Sequence, residues 1–245
     1  DQSLRFDSAT NAYLQRTPAG AGSLTTWTFS AWVKRGIIDL VGGGTNNQFI
    51  FAQYTDEAER AGLRFNTGDT IEATIGGASG APYFFTLAKY RDPSAWYHLV
   101  WVYDSTNGAA ADRHRLYVNG ERAALGTEHQ ADSSEAGNIN TAEPHEIGNM
   151  DDGTGSEFDG LMAEVHFIDG TAVAVSEFGE AGDYGEWKPK QVSGLTYGTN
   201  GFYLDFAASG DLGDDESGEG NDWTVNNFTA ADQMVDSPTN NFATN

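Results

Sequence analysis

The chain has 245 residues, of which 36 are acidic and 13 are basic, so its formal net charge at neutral pH is -23. This surplus predicts no nucleic-acid partner, because phosphate backbones would be repelled, and it fits either a well-solvated surface or adaptation to salty water, where salt screens clustered carboxylates. The absence of cysteine excludes disulfides and thiolate metal sites, and no apolar run approaches membrane-spanning length, so we expect a soluble protein without membrane insertion.

The content of 30 glycines and 12% aromatic residues, without helical periodicity, predicts an all-β chain. Period-2 alternation of apolar and polar residues predicts strands in the first part of the chain at residues 3–6, 12–14, 27–33, 49–53, 62–66, 70–75 and 83–88. A glycine-rich stretch at residues 42–47 lacks the Lys-Ser/Thr context of a phosphate-binding loop, and we interpret it as a connection.

The strand at residues 27–33 has one apolar face, which we expect in the core: Trp27, Phe29, Ala31 and Val33. Trp32 lies on the opposite face. It is either a platform on which a sugar ring stacks or a tryptophan packed against a neighbouring loop.

Residues 96–104 show the most regular strand pattern of the chain. Leu99, Trp101 and Tyr103 are expected in the core, while His98 alternates with them and faces outward. The dipeptide Asn119-Gly120 follows between two strand-like runs and predicts a tight hairpin, because these residue types adopt the positive φ angles of such a turn.

This strand and hairpin carry a family resemblance. The sequences Trp-Tyr-His-Leu-Val at residues 96–100 and Leu-Tyr-Val-Asn-Gly at residues 116–120 resemble the second half of laminin-G-like and pentraxin-like domains. Segments at residues 4–14, 27–34 and 147–165 match the same family in the right order. The resemblance covers residues 1–178 and implies a two-sheet antiparallel β-sandwich, the concanavalin A-like jelly roll.

The loops of this domain are the expected place for recognition. Residues 123–146 are polar and poor in large apolar side chains, which predicts a long surface excursion, and residues 149–157 form a carboxylate-dense loop. Carboxylates and amides there would bind sugar hydroxyls, and an aromatic ring would stack on the sugar. The candidate glycan-binding residues are Trp32, Asn149, Asp151, Asp152 and Glu157.

From residue 179 the chain changes character, and residues 179–245 are expected to form an irregular acidic C-terminal extension. Within it we interpret residues 187–190 as a linker and residues 201–206 as a strand that leads into an acidic loop. This piece resembles the opening strand and Asp-Ser-Gly-x-Gly-Asn loop of the laminin-G-like family, which normally come first. The extension either docks on the sandwich as an edge strand or begins a truncated second module.

Nearly the whole chain also resembles modular proteins of tailed bacteriophages, particularly marine ones. The matching segments are residues 167–170, 198–206, 221–228 and 236–242. The resemblance implies an extracellular virion surface component, such as a tail fibre, spike or capsid decoration protein, in contact with other virion structural proteins. Viral appendages multiply weak contacts through copy number, so we expect a homo-oligomer.

Sequence motifs for catalysis are absent. Glycoside hydrolases of concanavalin-like fold carry Glu-x-Asp-x-x-Glu on one strand, whereas residues 164–169 differ in spacing and lack the third carboxylate. The five histidines show no metal-ligand spacing. We therefore interpret the protein as a non-catalytic lectin-like module for host attachment; the alternatives are a purely structural assembly module and a polysaccharide-degrading enzyme.

Calcium is the expected cofactor, because a hard cation prefers several oxygen ligands from short loops. In the family resembled, calcium often sits at the edge of the sandwich near the loops, which implies Asp151, Asp152 and Glu157. A denser carboxylate and amide cluster in the extension competes with them: Asp211, Asp214, Asp215, Asn221 and Asp222. Residues 214–222 lack the ligand spacing of an EF-hand, and a solvated acidic loop without an ion is the interpretation that we prefer for both loops.

Overall fold

The computed structural model describes residues 2–38, 47–151 and 155–239, which form a β-sandwich of two large antiparallel sheets. Its strands are β1 Ser3–Phe6, β2 Tyr13–Arg16, β3 Thr26–Arg35, β4 Gln48–Tyr54, β5 Arg60–Phe65, β6 Ile71–Thr74, β7 Tyr83–Thr86, β8 Tyr97–Asp104, β9 His114–Val118, β10 Glu121–Arg122, β11 Leu125–His129, β12 His145–Ile147, β13 Gly160–Asp169, β14 Gly179–Ala181, β15 Trp187–Pro189, β16 Phe202–Leu204, β17 Thr224–Asn226 and β18 Gln233–Met234. Single-turn 3-10 helices occupy Ser8–Thr10, Ala110–Asp112, Val175–Glu177 and Ala230–Asp232.

The strand order identifies the layers. The first sheet runs β10-β9-β8-β3-β13-β1-β18, and β16 pairs with the remaining part of β13. The second sheet runs β11-β7-β6-β5-β4-β12-β2-β17, and β14 and β15 form a separate two-stranded ribbon. The all-β jelly-roll sandwich predicted from the sequence is confirmed.

The core lies between the two sheets and is rich in aromatic rings. Trp27 and Trp101 meet edge to face with ring centroids 4.6 Å apart, and Phe29 of the first sheet stacks on Phe51 of the second at 4.7 Å. The residues predicted to face inward on β3 and β8 are all fully buried there: Trp27, Phe29, Ala31, Val33, Leu99, Trp101 and Tyr103.

The predicted hairpin joins β9 to β10. Asn119 and Gly120 have φ angles of 50° and 81°, the left-handed values that such a two-residue turn requires. The asparagine side chain also accepts a hydrogen bond from the backbone N–H of His98 at 2.8 Å, which attaches the turn to β8.

The outer face of the first sheet is buried, which corrects the expectation that His98 faces solvent. His98 is 1% exposed, and residues 170–198 cross over this face. Val100 and Val102 of β8 pack there against Phe178 and Tyr197 in a second apolar cluster. The extension therefore gives the first sheet a covering layer that alternation within one strand does not predict.

Residues 123–146 are not simply a surface excursion, so that expectation is wrong. β11 pairs with β7, and β12 lies between β2 and β4 in the second sheet. Ala131 and Ile139 between them are buried. Backbone hydrogen bonds hold these strands in the sheet. The strands could not be recognised from composition, because residues 123–146 contain few large apolar side chains.

The C-terminal extension pairs with the sandwich at three places. β16 lies on β13, β17 on β2 and β18 on β1, and Phe202, Leu204 and Trp223 belong to the main core. Of the two arrangements considered from sequence, the structure has the docked one. The predicted connection at residues 42–47, apart from residue 47, lies outside the described residues. Within the described ranges, no helix is long and apolar enough to cross a membrane.

Candidate functional site

The outer face of the second sheet carries aromatic and charged side chains around a cleft. Because side chains alternate along a strand, Arg64 and Glu72 point away from the core, while their neighbours Leu63, Phe65 and Ile71 are fully buried in it. A first cleft of about 390 Å³ on this face is lined by Phe49, Arg64, Glu72, Tyr83, Phe85 and Met150, among others.

An ion pair forms one side of the first cleft. Arg64 Nη2 lies 2.7 Å from Glu72 Oε1 on the neighbouring strand, and the guanidinium is 5.1 Å from the centre of the Phe49 ring. Gly62 leaves room for that ring, since a Cβ there would lie 2.8 Å from Phe49 Cε1. The pair therefore presents fixed donors and acceptors next to a buried aromatic ring.

A second cleft of about 230 Å³ continues along the same face. Tyr54, Glu146, Asp151 and Gln15 line it, and Met150 is shared with the first cleft. The two clefts lie across successive strands of the second sheet, from β7 to β2. We call the first and second clefts together the sheet groove.

Glu146 is the unusual residue of the second cleft. It is 5% exposed; Gln15 Nε2 donates to its Oε1 at 3.0 Å, whereas its buried Oε2 has no hydrogen-bond partner among the described residues. Burial, and then the negative charge of Asp151, raise the pKa of Glu146 to about 7. This carboxyl group therefore exchanges its proton near neutral pH.

Trp32, predicted as a stacking platform, is buried and cannot serve as an exposed one. It is 2% exposed, it stacks on His98 with centroids 4.7 Å apart, and Trp96 and Trp187 pack into the same cluster. The alternative from the sequence, a tryptophan packed against a neighbouring segment, describes its position.

Among the described residues of the predicted loop at residues 149–157, Met150 and Asp151 line the sheet groove. Asp151 is exposed and lines the second cleft, whereas Asn149 is 5% exposed. Glu157 is partly exposed and is not part of either cleft lining, and Asp152 lies outside the described residues.

The carboxylates of the extension accept hydrogen bonds from backbone N–H groups of the extension itself. Asp215 accepts hydrogen bonds from the N–H groups of Tyr203 and Asn221 at 2.9 and 2.8 Å. Asp222 accepts from the N–H of Asp215, and Asn221 donates to the carbonyl oxygens of Thr199 and Gly201 and accepts from Arg16. Since these oxygens already have donors, the arrangement does not fit calcium.

Of the remaining predicted ligands of this cluster, Asp211 is exposed and Asp214 is half-buried. Within residues 2–38, 47–151 and 155–239, no group of three or more His, Asp or Glu side chains is arranged to hold a metal ion. Calcium at residues 149–157 stays a prediction, because Asp152 is not described.

The carboxylates at residues 164–169 are also structural. Glu164 accepts a hydrogen bond from the Tyr203 hydroxyl at 2.7 Å, and Asp169 accepts from Ser23 N and Asn140 Nδ2 at 2.8 and 2.6 Å. The groove residues Arg64, Glu72 and Glu146 were not singled out from the sequence. Their only sequence signal was a charged residue at an outward position of a strand.

The chain is similar to known proteins in sequence family and in fold. The family model described as the concanavalin A-like lectin/glucanases superfamily matches residues 8–176, more than half of the chain. A comparison with curated proteins gave no match.

Three solved structures illustrate the similarity of fold. The native heptameric SAP-like pentraxin from Limulus polyphemus is 17% identical, with a TM-score of 0.47 over 71% of this chain and 78% of its own. Domains LG4-5 of the mouse laminin alpha1 chain are 12% identical, with a TM-score of 0.50 over 80% of this chain and 49% of theirs. CBM40 of the Ruminococcus gnavus IT-sialidase, bound to alpha2,3 sialyllactose, is 15% identical, with a TM-score of 0.41 over 60% of this chain and 84% of its own.

Proposed function

Because the chain belongs to the concanavalin A-like lectin/glucanases superfamily, we propose that it is a non-catalytic lectin-like protein that binds a bacterial surface glycan in the sheet groove. One observation carries the proposal: the two outer sheet faces differ. The first is covered by the extension, with Trp32 and His98 buried, whereas the second presents aromatic rings and the Arg64–Glu72 pair at a cleft. Clefts with an apolar surface and a few oriented polar groups are typical ligand sites.

The chemistry of the first cleft matches that of a sugar ring. Tyr83 and Phe85 on β7, with ring centroids 5.7 Å apart, offer apolar surface to the C–H face of a pyranose. The guanidinium of Arg64 donates and the carboxylate of Glu72 accepts, so vicinal hydroxyl groups find both kinds of partner. Of the glycan-binding residues predicted from the sequence and described in the structure, Asp151 lines this groove, at its far end.

We place this activity on the virion surface of a tailed phage, where it serves host attachment. Support comes from the resemblance of residues 167–170 and 198–206 to modular phage proteins, and from the net charge of -23, which favours a hydrated, non-aggregating surface. Immunogold labelling of particles with an antibody to this chain tests the location. Native mass measurement tests the proposed homo-oligomer; a clean monomer at high concentration favours a decoration role in which neighbouring virion proteins hold it.

The enzymatic alternative is disfavoured by the strand order. Glu72 and Glu146 lie on β6 and β12, with β5 and β4 between them, so three strand spacings separate their backbones by roughly 14 Å. Glycosidases place their two carboxyl groups only about 5 to 9.5 Å apart. Glu146 and Asp151 remain as a pair of carboxyl groups that a glycosidase would need. An assay for new reducing ends on any polysaccharide that binds tests whether they catalyse hydrolysis.

A glycan array of bacterial surface polysaccharides tests the lectin function. We expect binding by the wild-type protein and an affinity lower by about tenfold or more in Tyr83→Ala. Tyr184→Ala is the matched control, because Tyr184 is 89% exposed and lies on the ribbon that covers the other sheet. No binding of the assembled wild-type protein to any polysaccharide would favour the purely structural alternative.

A further inference from the structure

The second cleft differs from the first in its charge. Glu146 and Asp151 both line it, and none of the described residues in its lining is a lysine, arginine or histidine. The phenol of Tyr13 on β2 senses both carboxylates, because burial and then the charges of Glu146 and Asp151 raise its pKa. The second cleft is therefore negative without a counter-charge of its own.

Two other strongly buried carboxylates have cationic partners. Asp69, which is fully buried, contacts Arg35 at 3.0 Å and Arg91 at 2.7 Å, and Glu72 has Arg64 in the first cleft. Glu146 is buried to a similar degree, yet its Oε2 has no hydrogen-bond partner among the described residues. A buried carboxylate oxygen without a donor is unfavourable, which indicates that a donor arrives from outside.

We propose that the second cleft binds a positively charged primary amino group, and that the glycan in the sheet groove carries a free amine on the sugar that lies beside Glu146 and Asp151. This inference rests on the proposed function and specifies its ligand as an amino-sugar glycan. An ammonium group has three donors and no acceptor, which suits two carboxylates. Met150 belongs to both clefts, so a sugar chain in the first cleft continues directly into the second.

An amine fits this cleft better than a divalent cation. Calcium takes six to eight oxygen ligands, whereas the described residues here supply two carboxylates and no group of three. One ammonium is satisfied by two carboxylates and a few further acceptors.

The test compares two probes of the same backbone. Isothermal titration calorimetry measures the affinity for a β-1,4-linked glucosamine pentasaccharide and for the same pentasaccharide fully N-acetylated, at pH values on both sides of the Glu146 pKa of about 7. We expect the glucosamine pentasaccharide to bind at least about tenfold more tightly, because its ammonium group adds a charge-assisted hydrogen bond that the N-acetylated probe lacks. Glu146→Gln and the exposed Asp151→Asn should each remove most of this preference.

Glu72→Gln is the matched control, because it removes the same charge from the same sheet face but from the first cleft. It should keep the preference for the amine even where overall affinity falls. Melting temperatures of all three variants show whether each is folded. If Glu146→Gln does not fold, Asp151→Asn still tests the inference, because Asp151 lies at the surface.

Three outcomes overturn the inference. Equal affinity of the wild type for the two probes, when the glycan array is positive, refutes the amine preference and leaves the lectin function intact. A preference that survives Glu146→Gln and Asp151→Asn but disappears in Glu72→Gln places the amine elsewhere. Absence of binding to either probe also refutes the inference, and the array then decides the lectin function separately.

Discussion

The indole Nε1–H of Trp187 donates a hydrogen bond to Nδ1 of His98 at 2.9 Å. Because Nδ1 accepts, the proton of the neutral imidazole is on Nε2, which donates to the Ser30 hydroxyl at 2.9 Å. Trp187 also packs beside Trp32, and Gly179 on the facing strand leaves room for the indole, since a Cβ there would lie 2.6 Å from it. One hydrogen bond thus joins the C-terminal ribbon to the first sheet.

Removal of this hydrogen bond should loosen the ribbon. Trp187→Phe leaves Nδ1 of the buried His98 without a donor, and we expect the free energy of unfolding to fall by about 1–3 kcal/mol. Urea denaturation measures it. Tyr184→Phe, at the exposed tip of the same ribbon, is the control and should leave the midpoint unchanged; equal midpoints for both variants would show that the bond contributes nothing.

Substitutions on both faces of β8 should destabilise the fold. Trp101→Ala empties a large buried volume and should cost about 3–5 kcal/mol. The outward position of His98 suggested a mild effect, but its burial and two hydrogen bonds predict a loss of about 1–3 kcal/mol in His98→Ala. His129→Ala, at an exposed position of β11, is the matched control. A His98→Ala protein as stable as His129→Ala would contradict the covering of this face.

Acid should destabilise the fold through its buried histidines. Burial lowers the pKa of His98, His114 and His166 to about 3 and that of His145 to about 4. The unfolded chain, with histidine pKa values of about 6.5, binds more protons below that pH. Their contribution to stability is therefore complete above pH 6.5 and is lost as the pH falls toward 4, by about 1.4 kcal/mol per pH unit for each histidine.

Glu146 contributes to the pH dependence with the opposite sign. Its pKa in the folded protein is raised to about 7, so its protonation stabilises the fold at low pH and that contribution is lost as the pH rises from about 4.3 to 7. Four histidines outweigh one carboxyl group, and urea denaturation at pH 7 and pH 5 should show a net loss of several kcal/mol at the lower pH. A higher stability at pH 5 would contradict this assignment.

Calcium, where it binds, should act at residues 149–157. An ion that binds only the folded state raises the melting temperature by mass action, and a chelator reverses the gain. Because the oxygens of Asp215 and Asn221 already have donors, we expect Asp151→Asn to abolish the gain and Asp211→Asn to preserve it. Identical melting curves in excess calcium and in chelator would exclude the ion.

The fold was largely predictable from local patterns. The alternation in residues 27–33 and 96–104 identified the buried face of each strand, and Asn119-Gly120 identified the hairpin. The laminin-G-like resemblance agrees with the family match over residues 8–176. These features are determined within a few residues of chain, which is the range over which periodicity and turn chemistry are informative.

The candidate site was less predictable, because strands distant in sequence build it. Arg64, Glu72 and Glu146 come to lie on one sheet face only through the order β6-β5-β4-β12, and strand order does not follow from period-2 alternation. Trp32 shows the converse case: its burial depends on Trp187, which belongs to a segment far later in the chain. Recognition residues were therefore sought at the loops, and only Asp151 lies in the sheet groove.

The pairing of β1 with β18, in which Ser3 lies opposite Met234, has a consequence for biosynthesis. During translation the first strand emerges long before its last neighbour exists, and Phe202 and Trp223 are missing from the core for most of that time. Contacts between residues so far apart in sequence slow folding, and exposed strand edges favour aggregation while it is incomplete. The nascent sandwich therefore completes its core only after Phe202 and Trp223 have left the ribosome.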